Sequence, residues 1–147
     1  MTTRLASQRR QRGFSLIEGL VAILIFSLGV LALVGLQANS IQQSTAAKYR
    51  SDATMLTNQL IGQMWTSNRT PATLMANYQT GGPGYLAWVA DVQRTLPGAA
   101  TFPPAVVPTV GAGGVFTGLF TITVQWKAPS EAPTAPAHQY VAVAQVQ

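Results

Sequence analysis

"RQRGFSLIEGLVAILIFSLGVLALVGLQ", residues 10–37, decides how the rest of the chain is read. Arg10 and Arg12 lead directly into a run, 14–36, in which every side chain except that of Glu18 is apolar or small. At 1.5 Å per residue this run forms a helix of about 34 Å, enough to cross a hydrocarbon core of about 30 Å. Arg4, Arg9, Arg10 and Arg12 all precede it. The positive-inside tendency therefore predicts residues 1–13 in the cytoplasm and everything beyond 36 on the far side of the inner membrane. A cleaved secretory signal with a cut near residues 38–40 fits less well. Its apolar region spans only about 7 to 15 residues, and a carboxylate inside it is out of character.

The same arginines explain the net charge of +5. Beyond Arg12, the cations Lys48, Arg50, Arg69, Arg94 and Lys127 stand against Glu18, Asp52, Asp91 and Glu131, which is close to neutrality. A basic nucleic-acid face therefore has little support, and no nucleic-acid partner is expected. With no cysteine in the chain, disulfides and thiolate metal sites are excluded. The 147 residues leave room for one small domain besides the apolar segment.

Residues 37–67 keep a helical period. Ile41, Thr45, Tyr49, Ala53, Leu56, Leu60 and Met64 recur every three or four positions, so the spanning helix continues as an amphipathic one until Asn68-Arg69-Thr70-Pro71 stops it. Gly19, Gly29 and Gly35 are its candidate flexible points. "TGGPG", residues 80–84, reads as a turn, and residues 85–96 as a short second helix ending at Pro97-Gly98. Tyr85 and Trp88 on it are expected to serve packing or surface contact.

The period then changes. In residues 115–126, Phe116, Phe120, Ile122, Val124 and Trp126 share one face while Thr117, Thr121, Thr123 and Gln125 share the other, which predicts a half-buried strand. Residues 138–146 are a second strand candidate, 105–110 a weaker one broken by Pro108, and 127–137 a proline-rich loop. The expected fold class is α+β, with an antiparallel sheet laid on the amphipathic half of the long helix.

Glu18 asks for a reason, because a carboxylate at the centre of a spanning helix costs roughly 2.5 to 3.5 kcal/mol. Near the interface it is tolerable as an acid facing Arg12 or water. The run Gly13-Phe14-Ser15-Leu16-Ile17-Glu18 behind an arginine-rich leader also resembles the class III signal of type IV pilins and pseudopilins. That resemblance implies several things together. A prepilin peptidase cuts between Gly13 and Phe14 and methylates the new terminus at Phe14, and Glu18 is kept for assembly. The parts become a leader at 1–13, a transmembrane half at 14–36 and a periplasmic pilin domain at 37–147 that includes the amphipathic helix 37–67. A pilin fold is implied as well.

"LVGLQ" at 33–37, "YRSDATMLTNQLIGQMWTSNR" at 49–69, "LPG" at 96–98 and "TITVQW" at 121–126 together resemble the PilV group of minor pilins, the type IV pilus modification proteins. The implied role is a minor pilin in a priming or tip complex that promotes type IV pilus assembly and twitching motility. Its implied partners are the prepilin peptidase, other minor pilins, the major pilin, the inner-membrane assembly platform and a tip adhesin, with a final location on the pilus at the cell surface. Many major pilins close a C-terminal loop with a disulfide, which this chain cannot do. The alternative within the class is a minor pseudopilin of a type II secretion system.

Other classes fare worse. The single histidine, His138, lies in or near a strand and reads as a surface or packing residue, and Asp52, Asp91 and Glu131 are far apart in sequence. No paired-carboxylate, metal or nucleophile motif is visible, so neither an enzyme nor a cofactor is expected. A plain single-span periplasmic protein is the remaining alternative, and it would retain its leader.

Overall fold

A computed structural model of the chain describes residues 12–146, with side chains from Ser15 onward. The leader up to residue 11 lies outside the described residues, as do the side chains of Arg12, Gly13 and Phe14. The chain divides into two compact units, Met1–Gln43 and Ser44–Gln147.

In the first unit the backbone is the opening part of α1 (Arg12–Thr66). Every side chain from Ser15 to Gln43 is exposed. Gly19, Gly29 and Gly35 do not interrupt the helix, whose ladder of backbone hydrogen bonds satisfies the peptide groups internally. Ser27 follows the same economy, donating its hydroxyl to the Ile23 carbonyl at 2.7 Å. By length and composition this helix can cross a membrane.

The second unit starts with the rest of α1. Here one stripe is buried: Ala53, Leu56, Leu60 and Met64 are at most 2% exposed. The periodic pattern begins earlier in sequence than the core does, since Ile41 is 67% exposed and Tyr49 only partly covered. Buried Thr57 returns its hydroxyl to the Ala53 carbonyl at 2.8 Å, so it adds no unpaired polar group to the core.

Two helices follow, one of them unanticipated. Helix α2 (Pro71–Tyr78) begins at the very proline expected to end helical structure, and α3 (Pro83–Thr95) begins at Pro83 instead of Tyr85. Both cases have one cause: proline at the first helical position lacks only an N–H that would be unbonded there, and its fixed φ suits the helix. The turn is thereby confined to residues 79–82. Gly82 is required in it, because a Cβ would fall 2.4 Å from the Asn77 carbonyl oxygen.

The sheet has the order β1-β2-β3, antiparallel throughout, from β1 (Ala105–Val110), β2 (Phe116–Trp126) and β3 (His138–Gln145). Pro108 does not break β1; the strand shifts register between Pro108 and Val110. Phe120, Ile122, Val124 and Trp126 are buried along one face of β2, as the alternation predicts, while the threonine face stays half-covered. These side chains share one core with the α1 stripe, Leu74 and Tyr78 of α2, and Tyr85, Trp88 and Val92 of α3.

Polar atoms on the large aromatics tie the elements together. The Trp88 indole N–H donates to the Leu56 carbonyl at 2.8 Å, the Tyr78 hydroxyl to Gln63 at 3.1 Å and the Tyr85 hydroxyl to Pro104 at 2.6 Å. Each ring buries its apolar body and spends its one polar group on a backbone carbonyl. The fold is therefore α+β, a long N-terminal helix with a small three-stranded antiparallel sheet. The proline-rich segment 127–137 is a loop, gathered by the Lys127 ammonium, which donates to the Pro133 carbonyl at 2.6 Å and to Ala135 at 2.8 Å.

Candidate functional site

The candidate residues Gly13, Phe14 and Glu18 fall in the first two turns of α1. Phe14 and Glu18 are four residues apart in a continuous helix, so they share a face, with about 6 Å of axial rise between them. Glu18 is exposed, and among the described residues it has no hydrogen bond or ion pair. Its helical neighbours Leu16, Ile17, Leu20 and Val21 are apolar and exposed as well. A carboxylate in that company needs a cation or water once the surrounding surface is covered by lipid or protein.

A second cluster of polar groups lies wholly within the second unit. A recess of about 310 Å³ is lined by Tyr49 and Arg50 from α1, Trp126, Glu131, His138 and three alanines. His138 pairs with Glu131, Nε2 to Oε1 at 2.6 Å, and its ring stacks on Trp126 with centroids 5.8 Å apart and planes 23° from parallel. The other carboxylate oxygen of Glu131 is buried without a partner among the described residues. The lining holds no serine, threonine or cysteine. Stacking on Trp126 and a hydrogen bond with Glu131 thus account for His138, which reads as a packing residue. Its carboxylate partner was not legible in the sequence. Glu131 lies in the loop tied by Lys127, seven positions before His138, and the β2–β3 pairing of Trp126 with His138 brings the group together.

Tyr85 and Trp88 are core residues, at 5% and 1% exposure. Burial raises the Tyr85 hydroxyl above its ordinary pKa, because the phenolate would lose its hydration. Among the described residues no group of three or more metal-ligating side chains comes together.

Residues 8–34 match the family model described as the prokaryotic N-terminal methylation motif. The motif supports a type IV pilin-like reading of the N-terminal segment. The matched span contains Gly13, Phe14 and Glu18 and most of the apolar run, and it stops short of the second unit. No curated protein and no solved structure gives a significant match to the chain. A substrate of prepilin peptidase that assembles with other pilins or pseudopilins follows from the motif, and an apolar helix fit for a membrane anchor accompanies it.

Proposed function

We propose that this chain is a minor pilin of the PilV type, which joins a priming or tip complex and promotes assembly of a type IV pilus. The observation that carries the reading is the methylation motif at residues 8–34, placed on a helix long enough to span a membrane and followed by a small α+β domain. In this reading prepilin peptidase cuts between Gly13 and Phe14 and methylates Phe14, leaving residues 14–36 in the inner membrane and the domain from 37 onward in the periplasm. Glycine at the scissile bond leaves the backbone open to the protease. The cut creates a cationic amine at the first residue of a helix, where the helix dipole disfavours it. Glu18, one turn on, supplies the compensating charge within the subunit or to a neighbour.

That pairing gives Glu18 its purpose. In the low dielectric of lipid or a packed filament, an unpaired charge costs several kcal/mol, whereas a paired one is tolerated. Subunits are thereby favoured in the arrangement that brings each amine to a carboxylate. The domain's other partners in this reading are the major pilin, the remaining minor pilins, the inner-membrane platform and a tip adhesin.

The decisive experiment is intact mass and N-terminal sequencing of the protein from its host membrane, with and without prepilin peptidase, combined with assays of twitching and of type II secretion in a deletion strain. A chain beginning at methylated Phe14 only when the peptidase is present, together with loss of twitching, is expected. A chain that retains Gly13 would refute the processing step. Loss of secretion with intact twitching would make the protein a minor pseudopilin.

A further inference from the structure

The loop between β2 and β3 repeats itself. In "APSEAPTA", residues 128–135, the pattern alanine, proline, hydroxyl residue occurs twice, four positions apart. The geometry repeats with it. The Glu131 N–H donates to the Ala128 carbonyl at 3.1 Å and the Ala135 N–H to the Ala132 carbonyl at 2.9 Å, which closes two successive β-turns. Proline occupies the second position of each, where its fixed φ suits a turn and no bond within the turn needs its N–H. Ser130 and Thr134 occupy the third. Both are exposed, and among the described residues neither hydroxyl has a hydrogen bond. By contrast Ser27, Thr54, Thr57, Ser67, Thr95 and Thr117 donate theirs to backbone carbonyls.

The backbone beneath these hydroxyls is held in place. Lys127 ties the Pro133 and Ala135 carbonyls, and Glu131 is turned away from the turn tips, with Oε1 2.6 Å from Nε2 of His138 and Oε2 buried. Each hydroxyl is thus flanked only by proline, alanine or an averted carboxylate, which leaves room for a bulky polar substituent that the fold need not accommodate. Proline mixed with serine, threonine and small residues is the composition of O-glycosylated segments, and an exposed loop tip is where a modifying enzyme gains access. We propose that Ser130 and Thr134 are O-glycosylation acceptors. In the transfer the hydroxyl oxygen bonds to the anomeric carbon of a sugar carried as a lipid-linked diphosphate. The bond from that carbon to the diphosphate oxygen breaks, the lipid diphosphate leaves, and the hydroxyl proton passes to a base of the transferase. A lipid-linked donor serves a domain on the far side of the membrane, and in that respect the inference rests on the proposed export. Other exposed or half-covered hydroxyls lack this setting: Thr101 follows alanine and precedes Phe102, and Thr121 and Thr123 are held in the paired strand β2.

The test is peptide mapping by mass of the full-length protein taken from its host membrane. Trypsin, cutting after Lys127, releases residues 128–147, in which Ser130 and Thr134 are the only serine and threonine. Loss of residues 1–13 and gain of a glycan fall on different peptides, so failure of the processing step and failure of this inference are read separately. The parent peptide is expected to carry discrete saccharide increments. Ser130→Ala and Thr134→Ala should each remove the increment at their own position, and the double variant should return the peptide to its bare mass. Both side chains are exposed and make no hydrogen bond among the described residues, so the alanine variants keep the fold. Pro129→Ala together with Pro133→Ala retains the hydroxyls but loosens the turns, and occupancy is expected to fall several-fold. A bare peptide in the parent protein, increments that survive the double substitution, phosphate in place of saccharide, or a glycan at Thr101 instead would each overturn the proposal.

Discussion

Leu24 and Leu60 occupy the same helix, yet one is 62% exposed and the other fully buried. The contrast runs through α1 as a whole. From Leu16 to Leu36 apolar side chains surround the helix and none is buried, whereas from Ala53 to Met64 a single stripe enters a core and the opposite face is mostly polar. Continuity of backbone therefore conceals two sources of stability. In the first stretch the internal hydrogen bonds are sufficient and the side chains await lipid or neighbouring subunits. In the second the helix holds because its stripe packs against β2, α2 and α3.

That comparison can be tested at both ends. The largest effect is expected at the start of the first stretch, where Gly13→Phe should block processing outright; intact mass would show residues 1–13 retained, and normal cleavage would remove the reason given for the glycine. Next comes Glu18→Ala. Membrane insertion should be unchanged or improved, while incorporation into filaments, measured by immunoblot of sheared pili, should fall by roughly ten-fold or more, because an uncompensated amine is left in low dielectric. Equal incorporation of the variant would make Glu18 a tolerated interfacial acid.

The middle of the range separates the two stretches directly. Leu60→Ala should destabilise the folded domain by about 2–5 kcal/mol, and Leu24→Ala should leave its denaturation midpoint unchanged. Comparable losses from both would erase the distinction drawn between them. Trp88→Phe is a smaller perturbation, about 1–2 kcal/mol, since it removes the indole donor to Leu56 and some ring volume while keeping an aromatic body in place.

The smallest effect concerns Tyr85. Burial raises its pKa in the folded state, so above about pH 10 the unfolded chain loses the proton first and binds fewer protons than the native one. The stability this group contributes is complete below its unfolded pKa and is lost as pH rises through the folded value. Thermal melts across that range should fall more steeply for the parent protein than for Tyr85→Phe, and parallel curves would show that the hydroxyl ionises equally in both states.

Where sequence reading succeeded and where it failed has a consistent logic. The spanning run, the Phe120-to-Trp126 alternation and the Leu56, Leu60 and Met64 stripe are periodic, and periodicity survives in one dimension. Helix α2 was missed because Pro71 was read as a terminator, although proline serves a helix start equally well; only the downstream packing of Leu74 and Tyr78 decides which. The same ambiguity shifted the start of α3 from Tyr85 to Pro83.

For the candidate residues the division is similar. Gly13, Phe14 and Glu18 lie within six consecutive positions, so the sequence by itself placed them in one motif at the head of an apolar helix, and a long helix with a small sheet followed from its periods. Tertiary structure alone decided that Trp126, Glu131 and His138 form one cluster, that Thr80 bonds Val106 of the edge strand β1, and that β3 is the other edge of the sheet. Strand order and loop closure are properties of pairings between distant residues. No local pattern of hydrophobicity or charge encodes which strands will form the edges of a sheet.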